Sequence, residues 1–84
     1  MQTTSPYLAH LPEAILRARV MALIALYASA AKRARAEKHP RIRELRWAHC
    51  ALIETRLIVT AETLFEEPMQ DFEAVVRAHH GTLH

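Results

Sequence analysis

Proline and glycine leave two long parts of this chain uninterrupted. The only glycine is Gly81, and the four prolines are Pro6, Pro12, Pro40 and Pro68. Proline lacks a backbone N–H and clashes with the preceding helical turn, so it begins or breaks helices. The stretches between Pro12 and Pro40 and between Pro40 and Pro68 are rich in Ala, Leu, Arg and Glu, which favour helix. The spacing therefore predicts two long helices that meet at Pro40.

The predicted fold is all-α: a long antiparallel helical hairpin followed by a short C-terminal helix. We expect helices at about 12–38, 41–66 and 68–80, after a loose N-terminal segment at 1–11. A chain of 84 residues is too short for more than one domain, so 1–84 is expected to form a single helical domain. The short connection at His39-Pro40 makes the two long helices antiparallel neighbours.

Both long helices carry apolar residues on more than one face. The apolar fraction of the chain is 51%, and the third helix is too short to cover all of this surface. A second copy of the chain would bury the remainder, which predicts a homodimer and a helical bundle. The residues that fall outside the main stripes define the expected dimerisation or docking face: Ile15, Leu26, Trp47, Ile58 and Phe65. For Trp47, Ile58 and Phe65 the alternative is a place in the core beneath the third helix.

The expected seam of the hairpin places small residues of the first helix opposite large residues of the second. We expect Ala30, Ala31 and Ala34 to face Arg46 and His49. His49 and Arg56 are polar residues that lie within the apolar stripe of the second helix, which forms its side of this seam. Each is either an interface residue that fixes register or partner choice, or a side chain that reaches solvent from the helix edge. The strip expected to be solvated contains Glu44, Thr55, Glu62 and Glu66.

Charge is distributed unevenly along the chain. Residues 32–46 contain seven cations and two carboxylates, a net charge of +5, whereas residues 47–84 carry a net charge of −4. Arginine beside an exposed aromatic ring is typical of RNA contacts, but a charge run also commonly does no more than solvate a hairpin end. The candidate binding residues of this basic tip are Lys32, Arg33, Arg35, Lys38, Arg41, Arg43, Arg46 and Trp47.

No motif indicates catalysis, so the chain is not expected to be an enzyme. It has no glycine-rich phosphate loop, nucleophile elbow or Walker lysine. The six histidines lack the spacing of metal ligands, and we expect no catalytic residue, cofactor or metal. The apolar run Val20–Ala31 is 12 residues long, too short to span a membrane. A single cysteine, Cys50, is expected to be buried and fits a cytoplasmic protein.

These observations favour a small non-catalytic interaction module of the cytoplasm. It would regulate, inhibit or scaffold a larger protein partner by binding it, and it would form a homodimer. The alternative is a nucleic-acid-binding helical hairpin that uses the basic tip at residues 32–46. Salt distinguishes the two, because affinity for nucleic acid falls steeply as ionic strength rises.

Overall fold

A helical hairpin dominates the computed structural model, which describes residues 6–81. A single turn, α1 (Pro6–Ala9), precedes α2 (Glu13–Ala36), α3 (Pro40–Phe65) and α4 (Phe72–Gly81), and these described residues form no strand. Helices α2 and α3 pack closely along their length. The expected all-α hairpin with a short C-terminal helix is therefore confirmed. Residues 1–5, part of the segment expected to be loose, lie outside the described residues.

The turn between the long helices is stabilised by local hydrogen bonds. Helix α2 ends at Ala36 because Glu37 is extended, and the Glu37 N–H donates to the Ala34 carbonyl over 3.3 Å. The His39 Nδ1 accepts a bond from the Ile42 N–H at 3.5 Å and caps α3. Pro40 follows as the first helical residue, where a missing N–H costs nothing.

Helix α4 begins at Phe72, four residues later than the sequence predicted. Helix α3 ends at Phe65, and the next residue, Glu66, caps it in the left-handed conformation with φ of 57°. The carboxylate of Asp71 then accepts a hydrogen bond from the Ala74 N–H at 2.8 Å and caps the new helix. The expectation that Pro68 starts the helix is wrong, because the Asp71 cap defines its first turn.

Two carboxylates of α3 hold the segment that leads into α4. The Glu62 Oε2 accepts the Met69 N–H at 3.0 Å, and the Glu54 Oε2 accepts the Phe72 N–H at 3.0 Å. Glu62 is only 5% exposed. Its expected place on a solvated strip is therefore wrong, because the segment after α3 folds back over it and satisfies its carboxylate.

The main core lies where α2, α3 and α4 meet. Its fully packed members are Val20, Leu57, Ala61, Met69 and Val75, around which partly buried hydrophobic side chains from all three helices are arranged. A second, smaller cluster lies nearer the turn; its buried side chains are short, and the partly buried Tyr27 and Ala30 pack against them. Its buried members are Ala31, Ala34 and Cys50.

The smaller cluster corrects the predicted seam. Ala31 and Ala34 pack against Cys50, whereas Arg46 and His49 are exposed and, of the three alanines, line a groove with Ala30 alone. The buried stripe of α3 is rotated by about one residue from the predicted one, so the thiol fills the position opposite the alanines. The expected burial of Cys50 is confirmed.

Replacement of Ile53 by Ala should destabilise the fold. Ile53 is buried on the α2-facing side of α3, so we expect a loss of about 2–5 kcal/mol in the free energy of unfolding. Met21 is exposed, and Met21→Ala should cost no more than about 0.5 kcal/mol. Urea unfolding of both variants measures the difference. Equal effects would contradict the placement of Ile53 in the core.

Candidate interaction surface

Helix α4 covers one side of the hairpin. On that side Ile24 of α2 and Ile58 and Phe65 of α3 pack against the main core. The rings of Tyr27 and Phe72 stack with their centroids 4.3 Å apart, which joins α2 to the start of α4. Burial, followed by the charge of Glu54, raises the pKa of Tyr27. The side covered by α4 is thus a closed, packed layer.

The opposite side of the hairpin carries two grooves between α2 and α3. One groove has a volume of about 610 Å³ and is lined by Arg19 and Arg56 among others. The other, nearer the turn, is lined by Arg33 and His49 among others. Arg56 and His49 are one heptad apart and Arg19 and Arg33 are two heptads apart, so both grooves lie on the same face of each helix.

We call this surface the open face. Residues that line neither groove are assigned to it by spacing: Leu52 lies one heptad from Leu45 and from Val59, and Leu26 lies one heptad from Arg33. Its members on α2 and α3 are Ile15, Arg19, Ala22, Leu23, Leu26, Ala30, Arg33, Ile42, Leu45, His49, Leu52, Arg56 and Val59.

The open face concentrates the exposed apolar surface of the molecule. Seven large hydrophobic side chains are exposed within residues 6–81, and all but Met21 and Trp47 belong to this face. Leu45 and Leu52 are 66% and 68% exposed, although leucine side chains are usually buried. A cluster of this kind is typical of a surface that binds another molecule.

The open face is also positively charged. Arginine lines both grooves and His49 lines the groove nearer the turn, and no carboxylate appears among the described lining residues. Arg46 forms an ion pair with Glu37 at 3.1 Å. Arg33 and Arg56 form no ion pair within residues 6–81. The face therefore combines apolar side chains with two arginines, Arg33 and Arg56, that form no ion pair within the described part of the chain.

The N-terminal turn occupies one end of the open face. Leu8 of α1 is 9% exposed and lines the larger groove together with Leu23, Val59 and Thr60. The Leu11 N–H donates to the Leu8 carbonyl over 3.1 Å, which closes the turn. A leucine carried on a helical turn is therefore a side chain that this groove accepts.

The basic tip surrounds the turn between α2 and α3, and one of its residues, Arg35, lines a pocket with Phe72 and Glu73 of α4. All its predicted binding residues, from Lys32 to Trp47, are exposed, and Trp47 is 39% exposed. The carboxylate of Glu37 lies among them. The His39 N–H, with a smaller contribution from Arg46, lowers the pKa of that carboxyl. The tip thus presents a cationic surface with one partly neutralised arginine.

The docking face predicted from the sequence separates into three places. Ile15 and Leu26 lie on the open face, whereas Ile58 and Phe65 are partly buried beside the main core. Trp47 is exposed near the turn, between Pro40 and Arg43 and away from both pairs. These five residues therefore do not form one surface within a single chain. His49 and Arg56, the predicted interface residues, are both exposed and line the grooves of the open face.

Helix α2 also meets the length and composition of a membrane-spanning helix. It is 24 residues long, and its most apolar window has a mean hydropathy of 1.6 with 17% of its residues buried. The apolar part of the helix is longer than the run Val20–Ala31, because a longer window that includes Arg17 and Arg19 remains apolar on average. Core helices and signal sequences share these properties, so this finding alone assigns no location.

Groups that hold metals are absent from the described part of the chain. Within residues 6–81, no three or more His, Cys, Asp or Glu side chains come together in a suitable cluster. Comparison of the chain with protein-family models, with curated proteins and with solved structures finds no significant match. The candidate site therefore rests on the geometry of the open face and the basic tip.

Ile42, Leu45 and Leu52 belong to the open face, but sequence reasoning did not recognise that they form an exposed stripe separate from the buried one. A signal for it was present, because Ile42, Leu45, His49, Leu52, Arg56, Val59 and Thr63 are spaced alternately by three and four residues. The buried seam of α3 has the same period, so spacing alone did not separate the two.

The basic tip should be dispensable for folding. Lys38, Arg41, Arg43 and Arg35 are exposed and form no ion pair within residues 6–81, so their replacement by Gln should leave the melting curve nearly unchanged. Circular dichroism melts measure this. Unfolding of the quadruple variant would show instead that these cations are structural.

Proposed function

We propose that this protein is a small non-catalytic interaction module that binds a larger protein partner through its open face. The observation that supports this best is the clustering of five exposed large hydrophobic side chains on one side of the hairpin. The binding would regulate, inhibit or scaffold the partner. Hydrophobic anchors between two helices are a common way to dock a partner segment.

The homodimer predicted from the sequence would use the same face. A second copy would cover Leu26, Leu45 and Leu52, and this burial favours association. Two copies would also bring their arginines together, because the described lining of the face has no carboxylate to offset them. We therefore propose that self-association is weak and that a protein partner displaces the second copy.

Self-association should become stronger as salt rises. Ions screen repulsion between the Arg33 and Arg56 side chains of two copies, while apolar burial is retained. We expect the average mass to rise above 9.6 kDa at micromolar concentration, and to rise further between about 0.05 M and about 0.5 M sodium chloride. Sedimentation or light scattering measures it. A monomer at both salt concentrations would contradict the dimer.

The second candidate function is nucleic-acid binding by the basic tip. Every residue from Lys38 to His49 is exposed, and Trp47 is available for stacking on a base. A salt-sensitive gel shift on structured RNA that is lost in the Lys38, Arg41, Arg43 and Arg35 to Gln variant would favour this function. No shift at low salt would exclude it.

Retention of a partner from native lysate tests the main proposal. We expect a protein that is retained by the wild type and by Met21→Gln, but is lost with the double variant Leu45→Gln and Leu52→Gln. All three positions are exposed, so each protein should fold. Nuclease treatment should not change the result. Retention that survives the open-face substitutions, or that requires nucleic acid, would contradict the proposal.

A further inference from the structure

The charge of the open face limits what can cover it. Arg33 and His49 line one groove together, and Arg56 lies one heptad from His49 along α3. At a helical rise of 1.5 Å per residue, this places Arg56 about 10 Å from the level of Arg33 along the hairpin. An occupant that satisfies both cations needs carboxylates about two helical turns apart.

The apolar side chains of the open face limit the shape of the occupant. The exposed stripe on α3 has heptad spacing, and the stripe on α2 that contains Ile15, Ala22 and Leu26 runs beside it. A helix lying between two such stripes would place apolar residues in the groove at every third or fourth position. At one end of the groove, Leu8 on the α1 turn already lines it with a single leucine.

We propose that the open face binds an acidic amphipathic helix of a partner protein. Its leucine-type anchors would continue along the groove from the position of Leu8 toward the turn. Its flanking glutamates or aspartates, one heptad apart, would pair with Arg33 and Arg56. This inference rests on the proposed function and adds the chemistry of the partner segment.

An acidic helix fits the observations better than the other occupants. A second copy offers apolar contacts but brings cations against cations. A nucleic acid offers phosphates but does not bury Leu45 and Leu52. An anionic membrane would suit cations at the flanks of an apolar surface, whereas Arg56 and His49 lie within the heptad stripe itself and beside a concave groove.

The test uses a labelled helical peptide of about 21 residues, three heptads, with Leu at the a and d positions and Glu at e and g. Matched peptides carry Gln or Lys at e and g. Fluorescence anisotropy with the full-length protein gives the affinities. We expect the Glu peptide to bind about tenfold more tightly than the Gln peptide at low salt, and this preference to diminish as salt rises.

Two double variants separate the position of the charge from its amount. Arg33→Glu with Arg56→Glu should weaken the Glu peptide about tenfold and favour the Lys peptide. Arg35→Glu with Arg77→Glu makes the same change in net charge away from the open face, because Arg35 lines a pocket with Phe72 and Arg77 is exposed on α4. This control should change affinity less than about twofold.

The outcomes distinguish this inference from the proposed function. Equal binding of Glu and Gln peptides that is lost with Leu45→Gln and Leu52→Gln would overturn the acidic partner and leave an apolar docking face. An equal loss of affinity for the Glu peptide in both arginine double variants would overturn the assignment of the peptide's carboxylates to the open-face arginines. Binding to vesicles of equal phosphatidylcholine and phosphatidylglycerol, without binding of the Glu peptide, would identify a membrane surface instead. A lysate protein whose retention requires the open face, together with equal binding of the Glu and Gln peptides, would overturn the acidic partner but leave the proposed function in place.

Discussion

The position of α4 depends on two carboxylates of α3 that accept backbone N–H bonds from the segment before it. Glu62 accepts from Met69 and Glu54 accepts from Phe72, so this short segment is held along α3 at two points. A buried carboxylate without such donors would be strongly destabilising, so the segment and the two glutamates require each other. Asp71 then starts the helix at the place where this constraint ends.

The side on which α4 lies determines what the hairpin leaves exposed. With one side closed by Val75 and Phe72, the apolar residues of the other side have no cover from the described chain beyond Leu8. This arrangement also explains the composition of α2, which is apolar around most of its circumference although few of its residues are buried. Its outward-facing apolar residues take no part in the core of a single chain, and their exposure is the basis of the functional proposal.

Proline spacing and helical periodicity were sufficient to predict the hairpin, its turn and the short last helix. They were insufficient where two patterns of the same period overlap. The buried and exposed stripes of α3 both repeat every three or four residues, so Cys50 and not His49 faces Ala31 and Ala34. Glu62 was misplaced for another reason. Its burial depends on a segment that folds back from beyond the helix, and local sequence does not encode that contact. The cations of the open face were visible in the sequence, but the fold was required to show that Arg33 of the basic tip lies on the same face as Arg56.

The small second cluster has a consequence for how stability is distributed along the hairpin. Near the turn the helices are joined by Ala31, Ala34 and Cys50, whereas the far half is joined by larger side chains and by a third helix. Short side chains bury little area, so the turn half can open locally while the rest remains folded. Amide protection should therefore decline along each long helix toward Pro40. The two long helices are then held together more stably at the end covered by α4 than at the turn. Any molecule bound in the groove between α2 and α3 would reduce local opening at the turn.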